Sequence, residues 1–307
     1  MPAMTRAPTQ HHLLDDHGRG LQHDLEQLAA LKQRRRVLGM MLSGSALLIA
    51  GCGGDDGSGT TTASSSGDSS SGGSSGGTST GTGTTSGSCT AVAEETEGPY
   101  PSDGSNTVNG AVSNVLSESG VVRSDIRSSF GGSSGVAEGV PLTLTLTLLN
   151  SNNLCQSLSG YAIYLWHCTR DGNYSLYSTS VRDESFLRGV QVADANGQVT
   201  FTTIFPGCYS GRYPHIHFEI YSSRSMATLY TNKILTSQIA LPRDVCSTVY
   251  SGASGYSASV TNLSRVTIAS DGIFGDNTAA QMAAMTAALS GSVADGYTGT
   301  LTVGVPA

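Results

Sequence analysis

From Pro141 to Leu149 the chain reads PLTLTLTLL, apolar and polar positions in strict alternation. Successive side chains of an extended strand point to opposite faces, so this run offers leucines to one side and threonines to the other. Short runs rich in β-branched and aromatic residues follow: GYAIYLWHC, GQVTFTTIF, YPHIHFEIY, SRVTIAS and GTLTVGV, punctuated by Gly, Asp and Asn. Regularly spaced short strands of this kind predict a mainly β domain, a β-sandwich. One stretch departs from the pattern. TAAQMAAMTAAL, Thr278 to Leu289, has a helix-favouring content of Ala, Gln and Met, but its few apolar anchors leave loop or strand open.

The alternation begins only after a long stretch that can bury little. From Gly53 to Ser88 the sequence is almost entirely Gly, Ser and Thr, which reads as a flexible tether. Ahead of it, Arg34, Arg35 and Arg36 precede an apolar run, Val37 to Ala50. That run is shorter than the ~20 residues a membrane span needs, but it suits the apolar region of an export signal. It closes with Ile49-Ala50-Gly51-Cys52, which resembles a bacterial lipobox whose Cys takes the lipid. The arginines with Val37-Leu38 resemble a twin-arginine signal, and an ordinary Sec signal with a basic start fits equally. Leucines at 21, 25, 28 and 31 predict a helix before the signal, irrelevant to function once the leader is cleaved. The expected organisation is therefore 1–51 export signal, 52–88 lipidated Cys and linker, and 89–307 the folded β domain. The expected location is the bacterial cell envelope, lipid-anchored on its periplasmic or outer-membrane face.

Removing the leader changes the charge and histidine balance. The 16 basic and 23 acidic residues of the whole chain become 10 and 19, a net charge near −9. This argues against nucleic acid or an anionic membrane surface as a partner. Of seven histidines only His167, His215 and His217 remain. Five cysteines besides Cys52 stay with the mature chain: Cys89, Cys155, Cys168, Cys208 and Cys246. Disulfides are expected outside the cytoplasm, and an odd count leaves at least one thiol unpaired within the chain.

His215 and His217 stand two apart in YPHIHFEIY, so a strand puts both imidazoles on one face, within reach of one metal ion. The remaining ligands are the question. Cupin-type sites want a further histidine downstream, and none follows His217. His167, embedded in YLWHC, reads as a packed strand histidine on the face opposite Trp166 and Cys168. Closed zinc sites need paired short Cys spacings, and these cysteines are scattered. Hard oxygen ligands remain, and tyrosine is abundant.

WHCTRDGNYSLYS, FLRGVQVADANGQVTFTTIFPGCYSGRYPHIHFEI and TSQIALPRDV, preceded by TEGPYP, resemble the intradiol ring-cleavage dioxygenases, in particular their shorter extracellular branch. The resemblance runs from about Glu95 to the C-terminus and implies the β-sandwich of that family. It implies one non-haem iron(III), Fe(3+), held by Tyr174 in DGNYS, Tyr209 in the PGxY turn, His215 and His217. Phenolate is a hard, strongly donating anion that favours iron(III), and a bound cation lowers the phenol's pKa from ~10. Tyr213, two before His215 and expected on the histidines' face, is a rival to Tyr209, and Tyr177 to Tyr174. The implied reaction opens a catecholic ring between its two hydroxyls with O2, giving a muconate-type diacid. By the same resemblance, Tyr209 is the ligand expected to leave and act as a base. Arg212 corresponds to the arginine that stabilises charge developing on the ring. Gln238 in TSQIALP matches the glutamine that assists it, and Pro99 and Tyr100 line the pocket. A surface salt bridge is the bland alternative for Arg212.

Two features stand apart from the family pattern. Many relatives carry Trp where this chain has Cys208, beside Tyr209; pairing with a cysteine such as Cys168 and a free thiol both remain open. A tether occupies the place of the helix that commonly dimerises catechol-cleaving members, so a monomer and a homodimer through the β domain are equally consistent. Two other readings compete: an anchored transthyretin-like β-sandwich that binds without catalysis, and a zinc or copper site using the His pair. The expected partners are a catecholic small molecule, O2 and, through the lipid anchor, a membrane.

Overall fold

A computed structural model describes Cys89–Ala307; the expected signal, Cys52 and the linker lie outside the described residues. The strands are β1 Asp103–Val108, β2 Ala111–Asn114, β3 Pro141–Asn150, β4 Gln156–Ser157, β5 Ala162–Trp166, β6 Arg188–Val192, β7 Gln198–Ile204, β8 His215–Tyr221, β9 Lys233–Ala240, β10 Ala288–Ser292 and β11 Gly296–Val305. Three α-helices join them: α1 Arg243–Gly252, α2 Ser257–Ser264 and α3 Ala279–Met285.

Two sheets make the sandwich. In one, β3 pairs in parallel with β11, which carries β10 on its outer edge, while β7 and the short β4 share the other edge of β3. The other runs β6-β5-β8-β9, all antiparallel. The alternation of β3 is the reason they stack. Leu142, Leu144, Leu146 and Leu148 are fully buried, and they pack in one cluster with Phe201, Val303, Ile163, Leu165, Ile216, Phe218, Ile220 and Ile239. Each such side chain contributes roughly 2 kcal/mol of burial. β3 is thus the half-buried strand its sequence predicts.

The second sheet is covered on both sides. All seven residues of β8 are buried: Ile216, Phe218 and Ile220 face the sandwich core, leaving His215, His217, Glu219 and Tyr221 for the opposite face. There Tyr164, Trp166, Val190 and Tyr221 gather in a second cluster with Tyr174 and Tyr209. The outer face of this sheet is where polar chemistry is assembled.

Several local expectations are corrected. SRVTIAS is no strand: α2 ends at Ser264, and Thr267 caps a 3-10 turn, Ile268–Ser270, through reciprocal bonds with Ser270. Thr and Ser side chains there satisfy the backbone locally, which competes with sheet pairing. The helix expected over Thr278–Leu289 stops at Met285, and Leu289 belongs to β10. Helices α1 and α2 were hidden among the strand signals; α1 buries Cys246, Val249 and Tyr250, spaced three and four apart on one face. Cys89 and Cys155 form a disulfide, while Cys168, Cys208 and Cys246 are buried free thiols, so Cys208 does not pair with Cys168. The bridge fastens the start of the domain to the β3–β4 turn, closing a 66-residue separation. Loop closure of that length is worth about 4 kcal/mol. Among the described residues no helix is long and apolar enough to cross a membrane.

Candidate metal centre

The centre is built on β8. His217 sits opposite Trp166 of β5 on one side and Gln238 of β9 on the other, all three on the outer face of the sheet. The Trp166 ring stacks on the His217 imidazole, centroids 4.9 Å apart and planes within 7°, and Tyr164 stacks on Trp166 in turn. These flat contacts fix the orientation of His217. His215 is fixed differently. Its Nδ1 lies 2.6 Å from the Tyr213 carbonyl oxygen. A carbonyl only accepts, so Nδ1 carries the proton and Nε2 presents its lone pair outward.

Two loops bring the tyrosines over this face. Tyr174 follows β5 in a turn closed by Thr169, whose amide donates to the Asn173 carbonyl at 2.7 Å and whose hydroxyl accepts from the Asn173 amide at 2.9 Å. Tyr209 lies in the PGCY turn after β7, and the Gly207 amide of that turn donates to the same Thr169, at its carbonyl (3.0 Å). Both positions require glycine. A Cβ on Gly207 would stand 2.5 Å from the Arg170 carbonyl oxygen, and Gly172, at φ +88°, leaves room for the Tyr209 Cβ. The loops are therefore pinned to each other before either reaches the histidines.

Four donors converge as a result. The Tyr209 hydroxyl lies 3.3 Å from His215 Nε2, which is 3.0 Å from His217 Nε2. The Tyr174 ring meets Tyr209 at 5.8 Å and His217 at 6.2 Å, edge-on in both cases. Its hydroxyl is buried without a hydrogen-bond partner, a cost of ~1–3 kcal/mol for a neutral polar group left so. Two imidazole nitrogens at van der Waals limit, a phenol beside them and an orphaned buried phenol form a donor set that fits a cation. Among the described residues no three His, Cys, Asp or Glu side chains gather as a metal site, and the polar side chains nearest the His pair on this face include the Tyr209 and Tyr174 phenols.

Electrostatics keep both imidazoles and the Tyr174 phenol neutral as the chain stands. Burial, with the Arg212 charge adding to it, lowers His215 to about 3, and burial, His215 and Arg212 hold His217 well below the usual range. Neutral imidazole is the ligand form. Burial and neighbouring Tyr209 hold the Tyr174 phenol well above its usual value, opposed by Arg212. A bound cation inverts that balance, since it favours the phenolate.

Arg212 is buried rather than at the surface. Its Nε donates to Asp271 Oδ2 at 3.0 Å, and its Nη2 donates to Gln238 Oε1 at 2.6 Å. Gln238 in turn donates to the Thr96 carbonyl at 2.8 Å, tying the guanidinium to the segment that carries Pro99 and Tyr100. Tyr100 stacks near Tyr174, centroids 4.7 Å apart, whereas Pro99 contributes a carbonyl that accepts from Asn106.

The rivals fall away by position. Tyr213 precedes β8, and its ring joins the main core, packing edge-on against Phe274; it does not share the histidines' face. Pro214 turns the chain between them. The Tyr177 hydroxyl accepts from the Ser102 amide and donates to Asn106. His167 uses Nδ1 on the Cys168 carbonyl and Nε2 on the Thr203 hydroxyl, so it is the packed histidine its sequence context predicts. Cys208 points its thiol at the Arg212 carbonyl, 3.4 Å away, and burial raises it to about 12, an inert thiol. Sequence reasoning missed Asp271, and it missed Trp166 as the partner of His217. Asp271 stands in a Ser-Asp-Gly run that signals only a turn, and its carboxylate does accept from the Ile273 and Phe274 amides.

Comparison with known proteins gives the chain a family context. The family model described as Dioxygenase matches residues 127–255. A curated relative, chlorocatechol 1,2-dioxygenase of Rhodococcus opacus, is 31% identical over 113 residues, which is 31% of this chain and 44% of that protein. The chain thus spans less than half the length of the curated relative it matches. An intradiol ring-cleavage dioxygenase of Tetranychus urticae superposes with a TM-score of 0.54 at 26% identity, over 71% of this chain and 96% of its own. A further dioxygenase structure, 25% identical, gives 0.52 over 71% and 95%.

Proposed function

We propose that this chain, whose folded domain belongs to the intradiol ring-cleavage dioxygenase family, is an enzyme that opens a catecholic ring between its two hydroxyls with O2, giving a muconate-type diacid. Tyr174, Tyr209, His215 and His217 would hold a non-haem iron(III). The observation that carries the reading is the convergence of two neutral imidazole Nε2 atoms, 3.0 Å apart, with the Tyr209 hydroxyl and the unpartnered Tyr174 hydroxyl. Bound there, the ion supplies a hard Lewis acid that keeps phenolates ionised and draws electron density from a catecholate.

The protein's own residues would do the rest. Tyr209, on a turn rather than on the sheet, would be the phenolate that leaves and takes a proton from a substrate hydroxyl. Tyr174, whose amide donates to the Ser178 hydroxyl at 3.0 Å, and the two strand histidines would stay in place. Arg212 lies near enough for its charge to be felt at Tyr174, His215 and His217. Clamped by Asp271 and Gln238, it offers fixed positive charge where negative charge develops on the ring, with no reorganisation needed. Tyr100 forms an aromatic wall beside Tyr174.

The test is the purified protein against a panel of catechols, with O2 consumption and product identification. The expected result is a red-brown protein that consumes one O2 per ring and releases the muconate-type product. A protein that stays colourless after iron(III) reconstitution and consumes no O2 with any catechol would overturn the reading. We propose further that Cys52 carries the lipid that anchors the exported chain to the envelope. Labelled palmitate incorporation lost on Cys52→Ser checks that part.

A further inference from the structure

Arg188 is the buried cation that nothing above employs. It opens β6, is 1% exposed, and has no carboxylate among its partners. Its guanidinium is satisfied instead by neutral groups. Nε donates to the Ser175 hydroxyl at 3.0 Å and Nη2 to the Ser175 carbonyl at 2.9 Å, gripping one residue from two sides. Nη1 donates to the Pro101 carbonyl at 2.9 Å and to the Tyr164 hydroxyl at 3.2 Å. The Tyr177 ring lies 5.4 Å from the guanidinium carbon.

An arginine buried without a counter-ion is costly, and it persists only where several fixed acceptors are arranged for it. Here every acceptor belongs to a wall of the candidate centre. Ser175 follows Tyr174 directly. Pro101 follows Tyr100, whose ring packs on Tyr174. Tyr164 stacks on Trp166, which stacks on His217. The planar fork of arginine reaches all three segments at once, and the point charge of a lysine cannot.

We infer that Arg188 is a positioning residue: it fixes the direction of the Tyr174 phenol by holding Ser175, and it locks the Tyr100 wall to the same loop. The inference rests on Tyr174 serving as a ligand, and it concerns how that ligand is aimed. Ser175 completes the device, since its hydroxyl also donates to the Phe186 carbonyl at 2.7 Å, bracing the loop against the segment that leads into β6 and Arg188. Partners one step beyond a metal's ligands typically change its affinity ~10–100-fold when removed.

The test uses Arg188→Met, Arg188→Lys and Ser175→Ala in the full chain. In iron-free protein, amide exchange at residues 172–178 should quicken in all three, most in Arg188→Met, while β3 and β7 stay protected. On titration with iron(III), affinity should fall ~10-fold or more in Arg188→Met, the tyrosinate charge-transfer band should shift or broaden, and Arg188→Lys should recover only part of either. If Arg188→Met does not fold, Ser175→Ala and Arg188→Lys decide the matter by the same readings. Unchanged exchange, iron affinity and band position in folded variants would overturn the inference. Should wild type itself take up no iron(III), the functional reading fails, and the exchange measurement still decides whether Arg188 orders the Tyr174 loop.

Discussion

Arg212 and Asp271, 59 residues apart in sequence, form an ion pair from which water is excluded, with Nε–Oδ2 at 3.0 Å and side chains 1% and 0% exposed. Asp271 does more than neutralise. The same Oδ2 accepts from the Tyr213 amide at 2.6 Å, and the Tyr213 carbonyl is the group that holds His215 Nδ1. One carboxylate therefore braces both the candidate charge-stabilising arginine and one candidate metal ligand.

Truncating Asp271 should be severe because it strands the Arg212 charge in a dry site. Breaking one side of a buried pair costs ~3–5 kcal/mol. Asp271→Ala is expected to lose that much in chemical denaturation, and Asp271→Asn less, since the amide oxygen still accepts from Arg212. A Asp271→Ala variant within 1 kcal/mol of wild type would show that the pair is not coupled to folding.

How far sequence alone reached depends on whether the signal was local. The strands were legible because PLTLTLTLL and YPHIHFEIY alternate with the strand period, and from His215 onward the faces they predict are the ones observed; Tyr213, ahead of the bend at Pro214, is the exception. The His pair was legible for the same reason, and the motifs around Tyr174 and Tyr209 pointed to the two tyrosines that the structure places beside it. Asp271 was not, because nothing in Ser-Asp-Gly points to an arginine across the fold. Nor was the Cys89–Cys155 pairing, which depends on tertiary closure. In SRVTIAS the β-branched residues gave a strand signal, but Thr267 and Ser270 satisfy each other's backbone instead.

His167 gives a stability signature in mild acid. Burial lowers it to about 4 from the ordinary 6.5, so the folded state prefers neutral imidazole while the unfolded chain binds a proton near 6.5. Its contribution is fully present above pH 6.5 and is lost progressively as pH falls toward 4. The full effect is on the order of 3 kcal/mol. His215 and His217 are lowered too, so the comparison must be differential. His167→Gln can still donate to the Cys168 carbonyl and accept from Thr203. Between pH 7.5 and pH 5 its denaturation midpoint should therefore fall less than that of wild type. Identical pH slopes in the two proteins would remove His167 from the account.

Tyr209 and Tyr213 lie four residues apart, and sequence position alone does not separate them. Their surroundings do. Tyr209 rests on a turn pinned at Gly207, with its hydroxyl 3.3 Å from His215 Nε2, while Tyr213 sits in the core against Phe274 and lends the centre only its backbone. Removing the Tyr209 hydroxyl takes away the proposed ligand and the proposed base together, and general base catalysis alone is worth ~100-fold or more. Tyr209→Phe should lower the rate of O2 uptake with a catechol by at least that factor and alter the charge-transfer colour. Tyr213→Phe preserves both backbone bonds and the ring packing, so its rate should stay within about threefold of wild type, the ~0.6 kcal/mol that a distant packing change leaves. If Tyr213→Phe bleaches the protein and Tyr209→Phe does not, the ligand set must be redrawn around Tyr213, and the turn at Pro214 would have to move to bring it there.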